Sequence, residues 1–163
     1  GRGAGRRERR GGRLMPHPYY PSGNPRFNHV AMSVPADLLD EVHRADLCRF
    51  YGQVFGFDEM PTMTVDRKRL IFSCVHWDQF IFLIAEDDPM RCPRMDHFGF
   101  AVGSLEELVG VRDRAVAFRE KDPRVDLIDL HADDQGPITI HSVYVGYVLP
   151  MLCELQWWEF KDS

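Results

Sequence analysis

Two stretches of the chain alternate apolar and polar positions with a period of two, and each carries a histidine near its start. Residues 26–34 read RFNHVAMSV and residues 94–102 read RMDHFGFAV. Successive side chains of a strand point to opposite faces. In the first stretch His29, Ala31 and Ser33 therefore share one face, and Val30, Met32 and Val34 the other. In the second, His97, Gly99 and Ala101 oppose Phe98, Phe100 and Val102. The apolar faces belong under a helix. The histidine faces are lined by small residues, which leaves open space beside each imidazole and suits a cleft better than a core.

The segments after the two strands repeat as well. Helical spacing of apolar residues predicts a helix over 37–54, through Leu38, Leu39, Val42, Leu47, Phe50, Tyr51 and Val54. A second is predicted over 105–120, through Leu105, Leu108, Val111 and Ala115, with Ser104 and Glu107 in capping-box spacing. Three strand-like runs come after each helix. In the first half they are 57–65, 68–75 and 79–86, with a turn at 76–78. In the second they are 124–131, 137–148 and 151–160, with a break at 132–137. The chain thus reads βαβββ twice. The fold class is α+β: two tandem modules, 26–90 and 91–163, forming one structural domain. Their sheets should curve into a mixed β-sheet cleft with the helices outside. A unit of about 65 residues is too small for a good core alone, so the two should share one.

Composition and charge narrow the partners. The chain has 163 residues, 44% of them hydrophobic and 28% charged, an ordinary globular balance. Residues 1–13, GRGAGRRERRGGR, carry six Arg and one Glu. With a formal net charge of -5 overall, the rest carries -10. So acidic a domain is a poor binder of nucleic acid, although the Arg/Gly segment alone could touch phosphates. Residues 1–25 are expected to be a basic, then Pro-rich, disordered or extended tail, in which residues 1–14 read as an over-extended start before Met15. No apolar run is long enough to span a bilayer. Cys48, Cys74, Cys92 and Cys153 are scattered without a C-x-x-C pair, which points to reduced thiols and a cytoplasmic setting.

The last predicted strand, MLCELQWWEF, sets Glu154, Gln156 and Trp158 on one face and Cys153, Leu155 and Trp157 on the other. A glutamate in so apolar a strand is costly unless it is paired, protonated or bound to metal. His29, His97 and Glu154 would supply two imidazoles and one carboxylate from three strands, the facial arrangement of non-haem Fe(II) sites. Such a set leaves positions open for water, substrate or O2. A lone strand histidine is more often structural; it is the repeat of the same register in both halves that argues for a shared site.

These features resemble the vicinal oxygen chelate superfamily, the glyoxalase/bleomycin-resistance/extradiol-dioxygenase fold. The residues that carry the resemblance are NHVAMSV, DLCRFYGQVFGF at 46–57, DHFGFAV at 96–102, and Glu154 in the final strand. The resemblance implies paired βαβββ modules around a divalent metal held by His29, His97 and Glu154. Fe(II) is the preferred ion, with Mn(II), Zn(II) or Ni(II) as alternatives. A fourth ligand, common in glyoxalase-type relatives, would fall at Phe82, which cannot ligate. Tyr144, ten residues before Glu154, matches the position of an active-site tyrosine. His141 and His131 are candidate acid/base groups. His141 and Tyr144 fall on opposite faces of a regular strand, so both could act only across a bulge; Tyr147 shares the parity of His141. His76 is expected in an exposed turn. Phe80, Phe82, Trp158 and Met63 could wall an aromatic ligand.

Two departures from the family pattern reshape the cleft mouth: residues 147–151 lack the usual D-P-x-G turn, and the first helical region is longer. The implied activity is extradiol-dioxygenase-like oxidation of a small aromatic vicinal diol. The alternatives are a glyoxalase/isomerase or fosfomycin-type thiol transferase on the same metal, and a metal-free, bleomycin-resistance-like binding protein. Relatives often pair modules across subunits, so a homodimer is expected.

Overall fold

A computed structural model describes Gly23 and residues 25–161. The expectations for the N-terminal tail lie outside those residues, apart from Gly23 and Pro25.

The element order is β1 (His29–Val34), a 3-10 turn (Ala36–Leu39), α1 (Glu41–Phe55), β2 (Asp58–Glu59), β3 (Arg69–Ser73) and β4 (Phe80–Ala85), then β5 (His97–Ala101), α2 (Leu105–Arg119), β6 (Val125–Asp134), β7 (Ile138–Tyr147) and β8 (Leu152–Phe160). The strands form two four-stranded sheets, ordered β1-β4-β3-β2 and β5-β8-β7-β6. In each, the first strand pairs parallel with the last and the other pairings are antiparallel. This is the doubled βαβββ expected from the sequence.

Three boundaries differ from the sequence expectation; in one, β6 runs on to Asp134, three residues into the break expected at 132–137. The single helix foreseen over 37–54 is split at Asp40, because its carboxylate accepts the His43 backbone N–H at 2.9 Å and caps α1 there. The run 57–65 contributes only the two residues of β2. Beyond them Met63 and Thr64 fold back in turns onto the Met60 and Pro61 carbonyls. At its far end α1 stops at Gly56, in the left-handed region at φ 75°, whose N–H returns to the Gly52 carbonyl. The start of α2 agrees with expectation: Ser104 accepts the Glu107 N–H, and the Glu107 carboxylate reaches back to the Gly103 N–H.

The faces divide as the alternation predicts. Met32, Val34, Leu70, Phe72, Ile81 and Leu83 of the first sheet are buried under α1, and Val143, Val145, Cys153 and Leu155 of the second under α2. One core joins both modules. Phe50 of α1 stacks on Tyr147 of β7 at 4.3 Å and meets Phe118 of α2 edge-on at 5.0 Å. Each such aromatic contributes roughly 1.5–3 kcal/mol by leaving water. The Tyr51 hydroxyl donates to the Tyr147 carbonyl, and Arg114 Nε to the Val54 carbonyl. Arg124 clamps the two halves further, bonding Asp46 of α1 and Asp122 while lying 5.1 Å from the Tyr147 ring centre. The opposite faces of the sheets, which carry His29 and His97, are left for chemistry. No described helix is long and apolar enough to cross a membrane.

Candidate functional site

The parallel pairing of β5 with β8 sets Gly99 opposite Glu154. Because side chains alternate, Glu154 then shares a face with His97, two residues before Gly99. The His97 Nε2 lies 3.3 Å from Glu154 Oε2. Its other ring nitrogen, Nδ1, lies 2.7 Å from the Met95 carbonyl. A carbonyl only accepts, so Nδ1 carries a proton, and Nε2 is the nitrogen turned to the carboxylate. Gly99 borders the carboxylate; a methyl there would make an ordinary 3.5 Å contact with Glu154 Oε2.

Glu154 is 5% exposed. Burial alone would push its carboxyl up. Hydrogen bonds from Gln156, Tyr144 and Ser142, with the charge of His97, outweigh this and hold it below the usual carboxylate value. The group is therefore a buried, fully partnered carboxylate anion. Tyr144, opposite Glu154 in the β7–β8 pairing, hydrogen-bonds the carboxylate; burial and that bond push its phenol up to about 12. The ring also meets His97 edge-on at 5.0 Å.

His131 is brought here too. The β6–β7 pairing slips between Ile128 and His131, one extra residue on β6. The His131 ring then stacks on Tyr144 at 5.7 Å and 6°, with Nδ1 held 3.2 Å from the Asp129 carbonyl. The irregularity that an acid/base role requires thus lies on β6 rather than β7. Since β7 runs regularly against β8, His141 stays on the other face. Its Nε2 lies 2.8 Å from Glu159 and its ring packs on Trp157, away from Tyr144. Tyr147 is a core residue bonded to Asp122.

His29 does not join His97 and Glu154 within the chain. It stacks on Phe80 at 4.8 Å, with Nδ1 2.6 Å from Asn28 Oδ1. It lines a separate cavity of about 310 Å³ together with Gly99 and Ala101 of β5. Among the described residues no three His, Cys, Asp or Glu side chains lie close enough to hold a metal ion. Phe82 occupies the counterpart of Glu154: it faces Ala31 in β1 as Glu154 faces Gly99 in β5. Ile71, opposite Phe82, is likewise the counterpart of Tyr144, opposite Glu154. The polar half of the duplicated site belongs to the second module alone.

His97 and Glu154 have the spacing that two ligands of one ion would have. Two bonds of about 2.1 Å meeting at roughly 100° would separate a ligating nitrogen and oxygen by about 3.2 Å, as His97 and Glu154 are separated. Both histidines have Nδ1 anchored by an acceptor, the usual orienting arrangement for a ligand that offers Nε2. The residues fit a divalent ion on the second module, with one further imidazole wanting.

No protein-family profile and no curated protein match the sequence. Solved structures do. The lactoylglutathione lyase of Agrobacterium tumefaciens superposes with TM-score 0.55 at 18% identity, over 84% of this chain and 94% of that one. A glyoxalase family protein of Bacillus anthracis gives 0.56 at 19% identity, over 86% and 100%. A variant of the fosfomycin resistance protein FosX of Listeria monocytogenes, complexed with Mn(II) and 1S,2S-dihydroxypropylphosphonic acid, gives 0.55 at 19% identity, over 83% and 90%. The duplicated βαβββ topology and these superpositions agree: this chain has the same fold as these glyoxalase-type structures.

Proposed function

We propose that this protein is a metal-dependent enzyme whose substrate presents two neighbouring oxygens to a divalent ion held by His97, Glu154 and His29. The observation that carries the reading is the facing pair of His97 Nε2 and Glu154 Oε2, 3.3 Å apart, around a buried and fully partnered carboxylate. A bound metal would supply Lewis-acid polarisation of the substrate oxygens.

The chain's own residues do the rest. Met95, Gln156 and Ser142 fix the two ligands. Tyr144 keeps its proton at neutral pH and can donate a hydrogen bond to a developing oxyanion beside Glu154. His131, stacked on Tyr144 with Nδ1 anchored, is placed to take or return a proton through Nε2.

This arrangement, and neighbours that include a lyase and a fosfomycin resistance protein seen with Mn(II) and a diol, favour non-redox chemistry. Isomerisation, lyase cleavage or addition at an activated carbon are the candidate reactions. Extradiol cleavage of an aromatic diol is the second reading, favoured by the histidine stacked on Tyr144. It predicts activity with Fe(II) and O2, whereas the first predicts activity with Mn(II), Zn(II) or Ni(II) under anaerobic conditions.

The missing imidazole comes, in this proposal, from a second copy of the chain. β1 and β5 are both sheet edges, so their outer sides can meet another subunit. Elemental analysis of wild type, His29→Ala and His97→Ala tests this, together with coexpression of the two variants. Wild type should retain about one metal per chain and each variant little. Mixed oligomers should recover metal, because one chain still offers His29 and the other His97 and Glu154. Failure to recover would place His29 in the same chain's site. A wild type that binds none of the four ions would leave a metal-free binding protein as the function.

A further inference from the structure

On the helical side of the fold a cleft of about 580 Å³ opens between α1 and α2, and none of its lining residues belongs to a strand. Arg49 and Gln53 of α1 form one side. Arg114, Ala117 and Phe118 of α2, with Lys121 and Asp122 just beyond it, form the other. That volume lies in the range of small-molecule sites.

The charge of the cleft is unbalanced. Arg49 donates to Asp46 at 2.6 Å, and Arg124 bonds both Asp46 and Asp122. Asp122 also accepts from the Tyr147 hydroxyl at 2.7 Å. Those two arginines and two aspartates cancel. Arg114 and Lys121 are left over, since among the described residues neither pairs with a carboxylate. They stand in a chain whose residues after 13 carry a net charge of -10, so two uncompensated cations in one cleft reverse the sign of the local field.

Arg114 is also held in place. Its Nε donates to the Val54 carbonyl at 2.9 Å, and its Nη1 lies beside Gly110, where a Cβ would come within 3.2 Å of it. The bond to Val54 masks a carbonyl in the last turn of α1, where the helix dipole would otherwise repel an anion. The Gly56 N–H masks that of Gly52 in the same way. The Nη groups of Arg114 and the Lys121 ammonium remain as donors.

We infer that this cleft binds an organic phosphate monoester. A guanidinium fork and an ammonium together match a group with nearly two negative charges and three acceptor oxygens, which a phosphate monoester carries at neutral pH and a single carboxylate does not. The cleft is larger than a phosphate group needs, and Ala117 and Phe118 give it an apolar wall for the organic part. Gln53 offers an amide to polar atoms of that part. No residue of the cleft belongs to β1 or β5, so the pairing of two copies through those edges leaves it open.

The experiment is isothermal titration calorimetry of the full chain at low ionic strength with phenyl phosphate, beside inorganic phosphate and the monoanion phenyl sulfate. Wild type should bind about one phenyl phosphate per chain, about tenfold more tightly than either comparison ligand. Arg114→Gln and Lys121→Gln should each weaken that binding about tenfold, with unchanged circular dichroism. Should Arg114→Gln lose its fold with the bond to Val54, Lys121→Gln decides alone. Lys68→Gln makes the same charge change at an exposed position of the first module, and it should bind as wild type does. So should His97→Ala. Absence of saturable binding to wild type would overturn the inference, as would equal affinity for phenyl sulfate or inorganic phosphate. Wild-type affinity in Lys121→Gln would overturn it too, and so would equal weakening in Lys68→Gln, which would reduce the effect to net charge. Loss of binding in His97→Ala, with binding intact in the two cleft variants, would place the ester at the proposed metal centre instead.

Discussion

His97 and Glu154 face each other across two parallel-paired strands with 3.3 Å between Nε2 and Oε2. An imidazole nitrogen and a carboxylate at that separation can share either a proton or a metal. The two cases separate on substitution. If a metal is the natural occupant, Glu154→Gln keeps the shape of the side chain but should lower retained metal well below one per chain. The measurement is inductively coupled plasma analysis of protein purified without an affinity tag. Metal content equal to wild type would remove Glu154 from the ligand set.

The neighbours of the pair should behave differently from one another. Tyr144→Phe removes a hydrogen bond to a ligand and should weaken metal binding about 10- to 100-fold. His141→Ala lies on the other face against Glu159 and should leave metal binding unchanged. Its contact with the half-exposed Glu159 contributes less than about 1 kcal/mol of stability. Competition titration with a chromogenic chelator measures both. A larger loss in His141→Ala than in Tyr144→Phe would contradict the geometry.

The turn that feeds β8 holds a strained residue. Val148 has φ 63°, a left-handed conformation that a β-branched side chain adopts at a cost of about 1–2 kcal/mol. This is where the sequence lacks the customary D-P-x-G turn. Val148→Gly should stabilise the fold by about 1 kcal/mol, or roughly 2–4 °C in Tm. An unchanged or lowered melting temperature in calorimetry would show that the turn is not strained.

Acid should loosen the junction of the modules. Arg124 hydrogen-bonds Asp122 and Asp46 and holds both carboxyls below their ordinary values, against the opposing effect of burial. A depressed folded-state value means stability that is complete above the unfolded carboxylate range, near pH 4. It is lost as pH falls from there through the folded values. Arg124→Ala should therefore show a shallower decline of the urea midpoint below pH 4 than wild type. Parallel declines would mean that other carboxylates set the acid limb.

The thiols should be slow to react. Burial pushes Cys48 up to about 12, aided by the charge of Glu59, and burial also pushes Cys74 up to about 12. Cys153 is wholly buried and raised, and Cys92, raised by burial and Asp96, donates to the Pro150 carbonyl. Labelling with a disulfide reagent at pH 7.5 should be slow for the folded chain and fast in denaturant. Rapid labelling of Cys48 or Cys74 when folded would show that their surroundings open.

Alternation along 29–34 and 97–101, with helical spacing after each, was enough to write βαβββ twice, to assign the core faces and to place Glu154 on the same side as Gly99. These are local properties: a period of 2 or 3.6 and a cap such as Ser104 read directly from neighbouring residues. Tyr144 is singled out by the family resemblance, ten residues before Glu154, and the β7–β8 pairing sets the two opposite each other. Every contact that depends on how elements meet was left to the tertiary structure. The slip that brings His131 to Tyr144 sits in β6, and nothing in residues 128–131 marks it, because a bulge is set by strain across the sheet rather than by composition. The separation of His29 from His97 is likewise a matter of how the two modules dock about α1 and α2. The repeat made the two histidines equivalent; in the fold His29 stacks on Phe80 and lines a cavity, whereas His97 faces Glu154.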